Sequence, residues 1–110
     1  MMNVKQKKIT VLGAARSGLS AARLLRQMGA LAFVSDSADI DTKQDEVKFL
    51  QDEKITFEFG GHSEKAFAAD MVVLSPGIPV RSEVVQKLIK QATPVYSEIE
   101  VASWFCKSPI

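Results

Sequence analysis

The sequence predicts an α/β domain: a doubly wound, five-stranded parallel sheet with flanking helices, in a single unit. Three observations predict it. Short apolar, largely β-branched runs at 9–12, 31–34, 55–59, 71–74 and 94–96 alternate with stretches of helical period. Most runs stop at a small or polar residue, such as Gly13, Ser35, Gly60 or Ser75. Finally, 110 residues with 46% apolar and 25% charged content are enough for one core of ordinary size.

Ile9-Thr10-Val11-Leu12, ended by Gly13, reads as a strand buried on both faces. From Ser17 to Met28 the period changes: Ala21, Leu24, Leu25 and Met28 share one helical stripe, and Gly29 supplies the stop. Leu31 to Val34 is the second strand, running into Ser35-Asp36-Ser37. Thr42 to Glu53 reads as a helix with a Thr42 cap served by Asp45, and with Val47 and Leu50 inward. Ile55 to Phe59 is the third strand; Gly60-Gly61 breaks the chain, and Ser63 to Ala69 makes a short helix. Met71-Val72-Val73-Leu74 is the cleanest buried strand and stops at Ser75-Pro76-Gly77-Ile78-Pro79. Ser82 is placed to cap a helix with Val85, Leu88 and Ile89 inward and Lys87 and Lys90 near its C-terminus. Pro94-Val95-Tyr96 is a brief fifth strand, and Ser97-Glu98-Ile99-Glu100 is a capping box opening a last helix to about Phe105. Right-handed crossovers complete the parallel sheet.

Composition narrows the function classes. Net charge is +1, which offers no broad basic face for a phosphate backbone, so nucleic acid is not an expected partner. Cys106 is the single cysteine, which rules out an internal disulfide and a thiolate cluster. No 18-residue apolar stretch or leader-like segment occurs, so no membrane association and a cytoplasmic location are expected.

Ligands of open parallel sheets bind beyond the carboxyl ends of the strands, where strand order reverses. After the first strand comes Gly13-Ala14-Ala15-Arg16-Ser17-Gly18, a G-x-A-x-x-G variant of the Rossmann dinucleotide fingerprint. Ala15 stands where a glycine would admit a pyrophosphate against the backbone, which disfavours a standard NAD grip. A tight turn feeding a helix N-terminus survives, with Ser17 adding a hydroxyl, and suits an anion. Asp36 follows the second strand, where a carboxylate can accept from ribose hydroxyls or a base N–H and would repel a 2′-phosphate. Ser75 to Pro79 is a stiff loop able to wall a base. Without a ligand, these same features read as a tight turn, a solvated junction and a strand terminator.

Other residues point less sharply. His62, the single histidine, follows two glycines and reads as a surface loop residue rather than a catalyst. Trp104 and Phe105 read as packing for the last helix or as an interface. Asp39, Asp41, Asp45 and Glu46 form a solvated acidic face with no histidine or cysteine to complete a metal site, so no metal is expected.

Three segments in order, 11–20 (VLGAARSGLS), 74–79 (LSPGIP) and 97–100 (SEIE), resemble the N-terminal domain of the Mur ligases. Within that family the chain is most similar to the branch that joins D-glutamate to UDP-N-acetylmuramoyl-L-alanine. The resemblance implies a Rossmann-like domain over residues 1–107 that holds the UDP of the muramoyl substrate. Arg16, Ser17 and Gly18 would lie by the diphosphate, Asp36 and Ser37 by the uridine, and Ser75, Pro76 and Gly77 around the uracil. Ala38 stands where some relatives carry an arginine. Residues 108–110 would begin a linker to an absent central domain with a G-x-x-x-x-G-K-[ST] loop for ATP and Mg2+. The resemblance further implies a parent ligase that forms an amide bond through an acyl phosphate in peptidoglycan synthesis, and a monomer. The isolated chain would contain no catalytic residue and be inactive. Read from residues alone, two other assignments stay open: the NAD-binding half of an oxidoreductase and a non-catalytic nucleotide-sensing module.

Overall fold

The computed structural model describes residues 3–76, 78–79 and 81–104. Its elements run β1 (Lys8–Leu12), α1 (Arg16–Gln27), β2 (Leu31–Asp36), a 3-10 turn (Ile40–Thr42), α2 (Gln44–Asp52) and β3 (Thr56–Phe59). After these come α3 (Glu64–Phe67), β4 (Met71–Leu74), α4 (Glu83–Lys90), β5 (Val95–Ser97) and α5 (Glu98–Trp104). All five strands are parallel, in the order β3-β2-β1-β4-β5. The sequence order therefore reverses between β1 and β4, which makes their carboxyl ends the switch point of a doubly wound sheet. Among the described residues no helix is long and apolar enough to cross a membrane.

Strand alternation sends Ile9, Val11, Val34 and Val73 to one face, where they pack with Leu25 of α1, Leu50 of α2 and Val101 of α5. Leu12 and Val72 face the other way and meet Leu88 of α4, with Phe67 of α3 at their side. The strands thus carry apolar residues on both faces, as a parallel sheet covered by crossover helices requires. Val4, in a segment that reads as polar, is also buried, held by the Gln6 amide donating to the Gly29 carbonyl at 2.8 Å.

Several local readings are corrected. The second long helix starts at Gln44, two residues after Thr42. The Thr42 hydroxyl donates back to the Asp39 carbonyl at 2.7 Å, and the Asp39 carboxylate accepts from the Asp41 amide at 2.9 Å. These short side-chain bonds close a 3-10 turn before the α-helix can begin. Ser82 sits at the N-cap of α4, but its hydroxyl donates to the Pro79 carbonyl at 2.8 Å instead of accepting from the helix. Ile89 is 53% exposed, because Val85 and Leu88 already occupy the inward stripe of a two-turn helix. Met28, 42% exposed, falls one residue past the end of α1. The capping box is present as read: the Glu100 amide donates to Ser97 Oγ at 3.2 Å and the Ser97 amide to Glu100 Oε1 at 3.1 Å. Trp104 packs edge-on against Tyr96 with ring centroids 4.8 Å apart; Phe105 and Cys106 lie outside the described residues.

Candidate functional site at the carboxyl edge of the sheet

Register aligns Leu12 with Ser35 of β2 and Leu74 of β4, so three chain segments leave the sheet side by side. Backbone bonds continue the alignment outward, from the Gly13 amide to the Ser35 carbonyl at 2.8 Å and from the Ser75 amide to the Leu12 carbonyl at 3.0 Å. Ser75 is only 2% exposed, and a hydroxyl so buried needs a partner. It donates to the Gly13 carbonyl at 2.8 Å, joining the end of β4 to the turn after β1.

That staple explains Gly18. A Cβ there would clash with the Ser75 Oγ and lie 2.6 Å from the Gly13 carbonyl oxygen. The last glycine of the fingerprint therefore lets α1 approach the strand ends closely, the role its position predicts. Ala15, in the place of the fingerprint's middle glycine, is the exposed N-cap of α1 with extended backbone angles. Its methyl group cannot cap, and the first turn of the 12-residue helix contains no acidic side chain. The positive end of the helix dipole is consequently left without a side-chain counter-charge of its own. Arg16 is exposed and Ser17 half-buried in that same turn.

Asp36 ends β2 half-buried, and its carboxylate organises the neighbouring backbone. Oδ2 accepts from the Ala14 amide at 2.7 Å and Oδ1 from the Ala38 amide at 2.7 Å, both short, charge-assisted bonds. Each oxygen keeps a further lone pair. Ser37, next along, is exposed and borders an open hollow of about 420 Å3 shared with Asp39, Ile40, Phe59 and Gly60. Pro76 is exposed beside Ser75, and Gly77 lies outside the described residues. The structure thus gathers Arg16, Ser17, Gly18, Asp36 and Ser75 around one turn. Asp36 and Ser75, read from sequence as ligand contacts, are bonded to that turn itself.

One cluster was not anticipated. Ser35, fully buried, has its hydroxyl 2.7 Å from Glu58 Oε2 and 2.7 Å from His62 Nδ1. Glu58 Oε2 also accepts from the Ser63 amide at 2.8 Å. Burial pushes the Glu58 carboxyl up, but hydrogen bonds from Ser63 and Ser35, with the nearby His62, outweigh this and hold it below its ordinary value. His62 is therefore half-buried and tied to a strand end, not a bare surface residue. The available signal was alternation: Ser35 and Glu58 are register partners on β2 and β3 and must share a face.

Fold and site together define a Rossmann-like α/β domain with a helix N-terminus opening on the switch point. The family model described as the MurD N-terminal domain matches residues 8–84, and the chain belongs to that family. The UDP-N-acetylmuramoylalanine--D-glutamate ligase of Salinibacter ruber is 45% identical over 108 residues, 97% of this chain and 23% of that protein. The protein of the same name from Chlorobium phaeobacteroides is 48% identical over 109 residues, 99% of this chain and 23% of its own. The chain thus spans about a quarter of the length of the curated relatives it matches. Among solved structures, a murein peptide ligase from Psychrobacter arcticus superposes with a TM-score of 0.71 at 21% identity, over 90% of this chain and 20% of that one. Shikimate dehydrogenase from Aquifex aeolicus superposes at 0.58 with 18% identity, over 97% of this chain and 52% of that one. At such identities these two likenesses speak to the fold alone.

Proposed function

We propose that this chain is the UDP-gripping part of a ligase that adds D-glutamate to UDP-N-acetylmuramoyl-L-alanine in peptidoglycan synthesis. The observation that carries the proposal is the α1 N-terminus, which has no acidic residue in its first turn and opens at the switch point. Free N–H groups and the helix dipole there suit a diphosphate. Arg16 adds an exposed cation, Ser17 a hydroxyl, and Gly18 allows close approach. Asp36, through its remaining lone pairs, and Ser37 accept from or donate to the uridine. Ser75 anchors the loop by which Pro76 and Gly77 wall the uracil.

ATP, Mg2+, D-glutamate and the groups that make the amide bond belong, on this reading, to other parts of the parent enzyme. The chain alone has neither ligase nor ATPase activity, is monomeric and works in the cytoplasm. Support comes from relatives near 45% identity over almost the whole chain that bear this enzyme's name. The oxidoreductase alternative has only fold likeness at 18% identity, and Ala15 stands against it.

Calorimetry with UDP, UDP-N-acetylmuramoyl-L-alanine, NADH and AMP side by side tests the proposal. Heat of binding for the two uridine compounds is expected. Binding of NADH without either uridine compound overturns it.

A further inference from the structure

We infer that His62 is a positioning residue that holds the nucleoside end of the binding site in place, through Ser35 and Glu58. The inference rests on the nucleotide reading proposed above. Three observations carry it. First, the Ser35 hydroxyl has one proton and two neighbours, Glu58 Oε2 and His62 Nδ1, both at 2.7 Å. An ionised carboxylate only accepts, so the Ser35 proton goes to Glu58 and Ser35 must accept from His62. His62 is thereby fixed with its proton on Nδ1. No unpartnered side-chain nitrogen or oxygen is buried among the described residues, so the Nε2 atom, at the far side of the ring, is open to solvent.

Second, the loop carrying His62 is bonded to the segment read as the uridine contact. The Gly60 amide donates to the Ala38 carbonyl at 2.9 Å, and the Gly61 amide lies 3.4 Å from the Asp36 carbonyl. Gly60 and Gly61 have φ of +84° and +147°, with no atom within 4 Å of an added Cβ. Glycine is needed there for backbone angle, not space, and that angle brings His62 back over the end of β2. Third, the same strand end is bonded to the turn before α1, through the Ser35 carbonyl and the Asp36 carboxylate. His62, Ser35, Asp36 and Ala14 thus form one continuous set of contacts from the β3–α3 loop to the β1–α1 turn. The network aligns residues 36–38, where the nucleoside would lie, and leaves the α1 N-terminus to the diphosphate.

The experiment compares wild type, His62→Leu and His62→Asn for binding of UDP and of inorganic pyrophosphate by NMR titration. Asparagine can place an amide N–H near the position of Nδ1 and restore donation to Ser35. His62→Leu is expected to weaken UDP roughly fivefold to tenfold, the scale of one lost hydrogen bond. Pyrophosphate binding should be unchanged, and His62→Asn should recover most of the UDP affinity. A general loosening of the fold would weaken both ligands and would not be rescued, which overturns the inference. Equal UDP affinity in wild type and His62→Leu overturns it while the nucleotide reading stands; absence of UDP binding in wild type brings both down. In wild type at about pH 8, above the ordinary histidine range, imidazole 15N shifts should show the Nδ1–H tautomer. An Nε2–H tautomer reverses the Ser35–His62 bond and refutes the network.

Discussion

Replacing Gly18 with alanine tests whether Ser75 and Gly13 are joined as described. The new Cβ would collide with the Ser75 Oγ and sit 2.6 Å from the Gly13 carbonyl oxygen. Neither neighbour is a flexible tip: Ser75 is 2% exposed and the other atom is backbone. Overpacking costs about 1–3 kcal/mol. Displacing the hydroxyl leaves two buried polar groups without their mutual bond, costing about 1–3 kcal/mol more. Alanine recovers roughly 1 kcal/mol of helix propensity. A net loss of about 1–5 kcal/mol follows, or roughly 4–20 °C in Tm for a domain near 100 residues. Urea unfolding should show a lower midpoint with unchanged slope. Ser75→Ala removes the colliding oxygen, so the double variant should be less destabilised than the sum of the two single ones. A loss below about 0.5 kcal/mol for Gly18→Ala, or strict additivity in the cycle, refutes the staple.

Other outcomes follow from the same geometry. Ser17→Glu places a carboxylate in the first turn of α1 and should abolish UDP binding while circular dichroism and Tm hold; unchanged affinity moves the diphosphate elsewhere. Asp36→Ala strips the buried Ala14 amide of its acceptor and should cost about 1.5–3 kcal/mol, with faster exchange of that amide proton. Glu58 has a carboxyl held below its ordinary value, so its contribution is present above the unfolded pKa, near 4.5, and is lost as pH falls through the lower folded value. The stability gap between wild type and Glu58→Gln in urea should therefore narrow as pH falls below about 4.5. Ser97→Ala removes the α5 cap and should cost about 1 kcal/mol by the same assay.

What was legible in the sequence was what short-range chemistry determines. The Ser97–Glu100 box spans four residues, so its two bonds could be read from spacing alone. The strand runs were legible because a parallel sheet covered on both faces demands continuous apolar segments. Thr42 misled because Asp39, three residues earlier, competed successfully for its hydroxyl. The interior of the site was hidden for a different reason. Asp36 reaches Ala14 across 22 residues, His62 reaches Ser35 across 27, and Ser75 reaches Gly13 across 62. Position in the chain indicates that these residues sit at strand ends, but not that their polar atoms turn toward one another. Asp36 and Ser75 were therefore read as reaching for a ligand, when much of their bonding capacity holds the turn that would receive it.

The bond from Ser75 to Gly13 has a consequence for how anything enters the crevice. It ties together the two lips of the switch point, the ends of β1 and β4, from inside the protein. The opening between them cannot widen by parting the strands without exposing a buried hydroxyl and carbonyl. On that side a guest meets a wall of set position, and little of its binding free energy is lost in ordering those two strand ends. Adaptation, where it occurs, falls to side chains at the rim such as Arg16, so association should proceed in one kinetic phase without a slow conformational step.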